Sequence, residues 1–157
     1  MRRLARELGR RLQHRGYRLA TAESCTGGWV AQAVTSIAGS SAWFERGFVT
    51  YSNAAKQEML GVKAETLERF GAVSGESAIE MAKGALMHSR SDISVAVTGI
   101  AGPEGGSEDK PVGTVWFAWA GGGRPPVTAC EHFEGYRGAV RRQAVETALR
   151  GLIERLQ

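Results

Sequence analysis

The stretch Ala20-Thr21-Ala22-Glu23-Ser24-Cys25-Thr26-Gly27-Gly28 joins a strand-like run to a run with helical spacing. We predict a strand over 17–23, a tight polar turn, and a helix over 25–37. The unpaired N–H groups and the dipole at a helix start stabilise negative charge. Ser24 could therefore attack a carbonyl carbon there while N–H groups hold the developing oxyanion. Alternatively, Ser24 only caps the helix, and this stretch alone favours the cap.

Length and composition predict one globular domain over residues 1–157. The chain is 43% apolar and 23% charged, which is ordinary for a domain with a buried core. No apolar run approaches the ~20 residues of a membrane-spanning helix, and the N-terminus lacks the apolar core of a secretory signal. Because Cys25 and Cys130 are the only cysteines, we expect no disulfide framework and a cytoplasmic location.

Metal and nucleic-acid functions have little support in the sequence. His14, His88 and His132 are scattered, with no C-x-x-C or H-E-x-x-H spacing, so we expect no metal and no other cofactor. The net charge of +4 could attract nucleic acid or a phosphorylated small molecule. However, the N-terminal arginines alternate with leucines as on an amphipathic helix, and the aromatic residues lie elsewhere. We therefore expect neither a nucleic-acid nor a membrane partner.

Helical and strand-like segments alternate in the first half of the chain, and adjacent strands close the second half. This order predicts an α/β fold, a single three-layer α/β/α domain with a mixed sheet. Gly47 lies inside a predicted strand and marks a bulge or a close approach. The predicted helices are 2–14, 25–37, 54–60, 63–70, 76–88 and 137–156, and the predicted strands are 17–23, 43–51, 93–97, 112–120 and 127–133, with a loop at 121–126.

A second glycine turn, 98–102, follows a buried strand as the Ser24 turn does. Ligands of open α/β sheets bind at the carboxyl ends of strands, so the two turns could form two walls of one cleft. Tyr51 and Lys56 follow another predicted strand and could reach the same edge. The alternative for Lys56 is a solvated helix lysine.

A serine nucleophile needs a base, and no histidine lies beside a predicted strand end. A triad assembled from distant residues stays open. A Ser–Lys pair is the other possibility, because burial can lower a lysine pKa from ~10.4 toward neutrality. Cys25 is a candidate nucleophile or, alternatively, a small buried side chain behind the turn.

Six segments spread over nearly the whole chain carry a resemblance to a known family. They are AESCTGG (22–28), GFVTYSNAAK (47–56), GAVS (71–74), TGIAGPEGG (98–106), KPVGTV (110–115) and VRR (140–142). In these segments the chain resembles the CinA C-terminal domain family, the stand-alone nicotinamide mononucleotide deamidases. Larger members carry an additional N-terminal domain, for which we expect no room here. The family commonly has Gly-Asp-Arg where residues 135–137 read Gly-Tyr-Arg.

The resemblance implies hydrolysis of the carboxamide of nicotinamide mononucleotide to nicotinate mononucleotide and ammonia, within pyridine nucleotide recycling. It implies Ser24 as nucleophile and Lys56 as base, with Tyr51 beside them. The implied oxyanion and substrate-binding residues are Cys25, Thr26, Gly27, Asn53, Thr98, Gly99, Gly102 and Arg137. For the phosphate, Arg137, Arg141 and the glycine turns are candidates. We expect a homo-oligomer, and the alternative function is a non-catalytic nucleotide-binding or competence-related interaction domain.

Overall fold

One five-stranded sheet lies at the centre of the computed structural model, which describes residues 1–157. The spatial order of its strands is β2-β1-β3-β4-β5. The first strand is parallel to its two neighbours, the second and third strands. The fourth strand is antiparallel to the third, and the fifth is antiparallel to the fourth. The predicted mixed sheet is therefore confirmed. The strands are β1 (Leu19–Glu23), β2 (Phe44–Val49), β3 (Ile93–Gly99), β4 (Thr114–Gly121) and β5 (Arg124–His132).

Six α-helices cover the two faces of the sheet and complete the predicted three layers. The first, second and sixth helices pack on one face, and the other three pack on the opposite face. A short 3-10 turn, Ser40–Ala42, precedes β2. The helices are α1 (Arg2–Arg15), α2 (Trp29–Thr35), α3 (Asn53–Leu60), α4 (Ala64–Phe70), α5 (Gly75–Met87) and α6 (Arg137–Arg155). None of them is both long and apolar enough to cross a membrane.

The two faces of the sheet differ in side-chain size. Large apolar residues of the strands, such as Val95 and Phe117, join the core beneath α1, α2 and α6. The alternating positions on the other face carry alanines, such as Ala20, Ala96 and Ala118, beneath α5. Since neighbouring strand residues point to opposite faces, this pattern creates two cores from one sheet. Glu23 lies at alternating positions with Leu19 along β1, so its side chain points to the same face, which carries α2.

The predicted helix over 25–37 is wrong at both ends. Residues 24–28 form a turn, and α2 spans only Trp29–Thr35. Gly27 and Gly28 have φ values of 59° and 103°, which a right-handed helix does not use. Ser24 therefore lies one turn ahead of the helix and does not cap it, because the N-cap residue is Gly28.

The strand bounds also differ from the prediction, most of all at the start of β5. The predicted loop over 121–126 is wrong in its second half, since β5 already begins at Arg124. Pro125 and Pro126 fit there because β5 is an edge strand and its pairing with β4 is irregular at this point, so neither position needs a regular ladder hydrogen bond from its nitrogen. On β2, Gly47 is a close approach: a Cβ would lie 2.7 Å from Thr21 Oγ1. The pairing irregularity lies between residues 44 and 46 instead.

Candidate active site

The carboxyl ends of β1 and β3 form the floor of a cleft of about 240 Å³. The backbone N–H of Ser24 donates to the carbonyl of Val97 at 2.9 Å, so the two strand ends are in direct contact. The predicted meeting of the two glycine turns at one edge is therefore confirmed. The lining residues are Ser24, Cys25, Tyr51, Asn53, Lys56, Ala72, Val73, Thr98, Gly99, Ala101 and Arg137.

Lys56 reaches Ser24 from the helix that follows β2. Ser52 caps this helix, α3, by accepting the N–H of Ala55 at 3.0 Å. The side chain of Lys56 is 1% exposed, and its Nζ donates to Ser24 Oγ at 3.0 Å and to the carbonyl of Thr50 at 2.8 Å. The solvated-lysine alternative is wrong.

Burial shifts the protonation equilibrium of Lys56 toward the neutral amine. Both of its hydrogen-bond partners are uncharged, and it forms no ion pair. Loss of hydration disfavours the ammonium form and lowers the pKa of Lys56 from its ordinary value. A neutral amine hydrogen-bonded to a serine oxygen has the geometry of a base and its nucleophile.

Glu23 organises the turn, a role that we did not predict from the sequence. Its carboxylate is 1% exposed and accepts hydrogen bonds from Thr26 Oγ1 at 2.6 Å, Val30 N at 2.8 Å and Ala31 N at 3.1 Å. The first N–H groups of α2, which we expected to face an anion, are thus occupied by this side chain. Because α2 begins at Trp29 and not directly after Glu23, no local capping pattern in the sequence signals this role.

Two backbone N–H groups beside Ser24 are unpaired. Those of Cys25 and Thr26 make no hydrogen bond within the chain, whereas that of Gly27 donates to the carbonyl of Ser24 at 3.0 Å. The expectation that Gly27 supplies an oxyanion donor is therefore wrong. Both groups follow the serine directly, which is where an oxyanion site needs donors. Cys25 lines the cleft, whereas Thr26 does not, so Thr26 could contribute only through its backbone N–H.

The thiol of Cys25 faces the apolar core. It belongs to the cluster beneath α1, α2 and α6, and burial raises its pKa to about 11. A thiol with that pKa stays protonated at neutral pH, and the thiolate is the reactive form. The geometry favours the small buried side chain over the nucleophile.

Tyr51 and Arg137 form the rim of the cleft. Tyr51 is 61% exposed, and its hydroxyl accepts a hydrogen bond from Arg137 Nη2 at 3.1 Å. Arg137 Nη1 donates to the carbonyl of Gly102 at 2.9 Å. Of the expected binding residues, Thr26, Gly27 and Gly102 do not line the cleft, whereas Thr98 does and donates its hydroxyl to the carbonyl of Ala72 at 2.8 Å.

Arg141 lies behind the turn and not at the rim. Its Nε donates to the carbonyl of Cys25 at 3.0 Å and its Nη2 to the carbonyl of Thr26 at 3.1 Å. Its guanidinium also lies 5.5 Å from the centre of the Trp29 ring. Arg141 was a candidate phosphate ligand, but two of its three nitrogens bind the turn. Its contacts span more than a hundred residues, so no local pattern could have revealed them.

The histidines and the largest groove lie away from Ser24 and Lys56. None of the three histidines lines the cleft. A larger groove of about 650 Å³ lies between β5 and the C-terminal half of α6, but it contains neither Ser24 nor Lys56. The smaller cleft is the better candidate, because it combines a hydroxyl, a buried lysine and free N–H donors.

The fold and site define a three-layer α/β protein with a serine and a buried lysine in contact at the strand ends. The chain belongs to the CinA C-terminal domain family, whose model matches residues 1–156.

Named relatives and a solved structure agree with this family. The nicotinamide-nucleotide amidohydrolase PncC of Escherichia coli strain K12 is 59% identical over 149 residues, covering 95% of this chain and 90% of the relative. That of Enterobacter agglomerans is 56% identical over 155 residues, covering 96% and 94%. The crystal structure of competence/damage inducible protein CihA from Agrobacterium tumefaciens superposes with a TM-score of 0.96 at 49% identity, covering 99% of this chain and 95% of that one.

Proposed function

We propose that this chain hydrolyses the carboxamide of nicotinamide mononucleotide to nicotinate mononucleotide and ammonia, with Ser24 as nucleophile and Lys56 as its base. The amidohydrolase class follows from relatives that carry that name at 51–59% identity. The observation that carries the mechanism is the 3.0 Å contact between Lys56 Nζ and Ser24 Oγ. We assign residues 1–157 to one deamidase domain that recycles pyridine nucleotides. A homo-oligomer and a cytoplasmic location stay predictions.

Acylation begins with neutral Lys56. Its amine accepts the proton of Ser24 as the serine oxygen attacks the amide carbon. The N–H groups of Cys25 and Thr26 stabilise the oxygen anion of the tetrahedral intermediate. Lys56, now an ammonium, donates its proton to the departing nitrogen, and ammonia leaves. This proton return explains why one buried lysine can serve as both base and acid.

Deacylation repeats these steps with water. Lys56 takes a proton from the water that attacks the acyl-enzyme, and it returns the proton to Ser24 as nicotinate mononucleotide departs. The hydrogen bond from Nζ to the carbonyl of Thr50 holds the amine in place through both halves of the reaction. No step in this scheme requires a metal or another cofactor.

An ammonia-release assay on nicotinamide mononucleotide tests the proposal. The wild-type chain should release ammonia, and Ser24→Ala and Lys56→Ala should lose nearly all turnover, since an unassisted hydroxyl is a poor nucleophile. His132→Ala, on the exposed strand β5, is the matched control and should retain activity. Binding of the mononucleotide by the wild-type chain without ammonia release would instead favour the non-catalytic nucleotide-binding alternative.

The riboside, which lacks the phosphate, tests whether the rim of the cleft binds the substrate phosphate. Arg137 is the charged side chain of the cleft mouth and the best candidate to bind the phosphate. Charge-assisted contacts contribute about 1.5–3 kcal/mol each, so losing two should lower kcat/KM by about two orders of magnitude. Equal kcat/KM for riboside and mononucleotide would contradict a role for the phosphate in substrate recognition.

A further inference from the structure

Arg141 is a cation without an anionic partner. It forms none of the four ion pairs of the chain, and its hydrogen bonds go to the carbonyls of Cys25 and Thr26. Neither bond serves a helix or a strand, because both carbonyls belong to the turn that follows Ser24. Apart from its contact with the Trp29 ring, this half-buried guanidinium is used to hold the turn, and it needs an explanation in terms of that turn.

Peptide geometry links these carbonyls to the free N–H groups. The Cys25–Thr26 peptide is trans, so its N–H, that of Thr26, points away from the carbonyl that Arg141 binds. In the next peptide Arg141 binds the carbonyl of Thr26, while the N–H of Gly27 donates to the carbonyl of Ser24. That last bond orients the Ser24–Cys25 peptide, whose N–H is the other free donor.

We infer that Arg141 is the positioning residue of the oxyanion site, because it fixes the peptide groups that present the N–H groups of Cys25 and Thr26. This inference rests on the proposed amide hydrolysis. Arg141 acts through the backbone and does not touch the substrate. Its role differs from that of Arg137, one helical turn earlier on α6, which reaches the rim of the cleft.

The charge of Arg141 matters as well as its hydrogen bonds. The carboxylate of Glu23 is buried at the same turn, and its negative charge opposes an oxyanion nearby. Arg141 supplies the compensating positive charge from the carbonyl side. Both charges act on the neighbouring Cys25 thiol in opposite directions, since Glu23 raises its pKa and Arg141 lowers it. Lys56 also lowers the pKa of this thiol, so removing Arg141 would take away one of the two positive charges that oppose Glu23 at the turn.

Steady-state kinetics of Arg141→Gln test the inference. Losing one oxyanion donor lowers kcat by about 10²- to 10³-fold, so loosening two donors without deleting either should lower kcat by about 10- to 100-fold. KM should stay within about twofold, because the donors act on the transition state and not on the bound amide. Arg142→Gln is the matched control: its side chain is exposed on the same helix, and both rate parameters should be unchanged.

Arg141→Lys tests the positioning role in a variant that keeps the positive charge. It keeps the charge but cannot donate to both carbonyls in the fork geometry of a guanidinium, so kcat should fall between those of wild type and Arg141→Gln. Substrate affinity, measured by calorimetry in a Ser24→Ala background, should not change on adding Arg141→Gln. Wild-type kcat in folded Arg141→Lys or Arg141→Gln, or a loss confined to KM, would overturn the inference. Absence of ammonia release by the wild-type chain would overturn the proposed function itself.

Discussion

At the scale of single residues, the proposed chemistry depends on one buried amine. Lys56 has a serine oxygen and a backbone carbonyl as partners, and no carboxylate holds its proton in place. A lysine in such surroundings can lose its proton at a pH where surface lysines cannot. The environment of Lys56, and not its identity alone, qualifies it as a base.

The pH dependence of kcat/KM should report this lysine. Only neutral Lys56 accepts a proton, and the neutral fraction rises with pH, so activity should rise with pH. Because burial lowers the pKa, the rise should be centred below the ~10.4 of a free lysine. A profile that rises only above that value, or a residual rate in Lys56→Ala with the same pH limb, would contradict the assignment.

Because strand ends of an α/β sheet converge, the sequence made Ser24 and Lys56 candidates for one site, and the family resemblance implied their roles. The sequence did not identify Glu23 or Arg141. Glu23 is recognised only when the true start of α2, five residues after Ser24, is known. Arg141 acts across 115 residues of sequence, and the carbonyls it binds carry no signal of their own.

At the scale of elements, α2 depends on a side chain outside it. The helix has only seven residues and no side-chain cap at Gly28, and the Glu23 carboxylate binds its first N–H groups. The sequence placed this helix start too early, because the apolar spacing continued through two glycines whose positive φ values exclude a helix. Helical periodicity identified the element, while glycine conformation and a buried carboxylate decide where it begins.

Glu23→Gln should destabilise the fold through this element. The amide has one acceptor oxygen for three donors, and its NH₂ group faces N–H donors. Since hydrogen bonds to charged groups contribute about 1.5–3 kcal/mol each, the free energy of unfolding should fall by at least about 1.5–3 kcal/mol in urea titrations. Glu7→Gln removes a partly exposed ion-pair partner on α1; it is the control and should lose less than about 1 kcal/mol. Equal losses would contradict this account.

Tyr136→Asp should stabilise the start of α6. Tyr136 is the N-cap residue of this 19-residue helix, is 79% exposed, and makes no side-chain cap hydrogen bond. An aspartate accepts hydrogen bonds from the first free N–H groups and favours the helix dipole, which contributes about 1 kcal/mol. The thermal midpoint should rise. An unchanged or lower midpoint would show that this helix start gains nothing from a cap.

At the scale of the whole molecule, side-chain size distinguishes the two faces of the sheet, and each face supports a different wall of the cleft. The large residues face α1, α2 and α6, which carry Trp29 and Arg141 to the Ser24 turn. Helix α5 packs on the alanine face, and α3, which carries Lys56, packs against α5. The order of helices and strands predicted these layers, but it could not predict which helix would support which wall of the cleft.

Activity should survive removal of metal ions. The chain has no group of three or more His, Cys, Asp or Glu side chains that could bind a metal, and every step proposed above uses Ser24, Lys56 and backbone donors. Dialysis against EDTA should therefore leave the rate of ammonia release unchanged. A loss of activity that one divalent ion restores would contradict the Ser–Lys scheme.

The most direct test of the central claim is the identity of the acylated residue. Turnover of nicotinamide mononucleotide is quenched in acid, and the chain is analysed by intact mass and peptide mapping. We expect an adduct with the mass of nicotinate mononucleotide less one water on Ser24, present in Cys25→Ala and absent in Ser24→Ala. An adduct on any other residue, or wild-type turnover by Ser24→Ala, would contradict it.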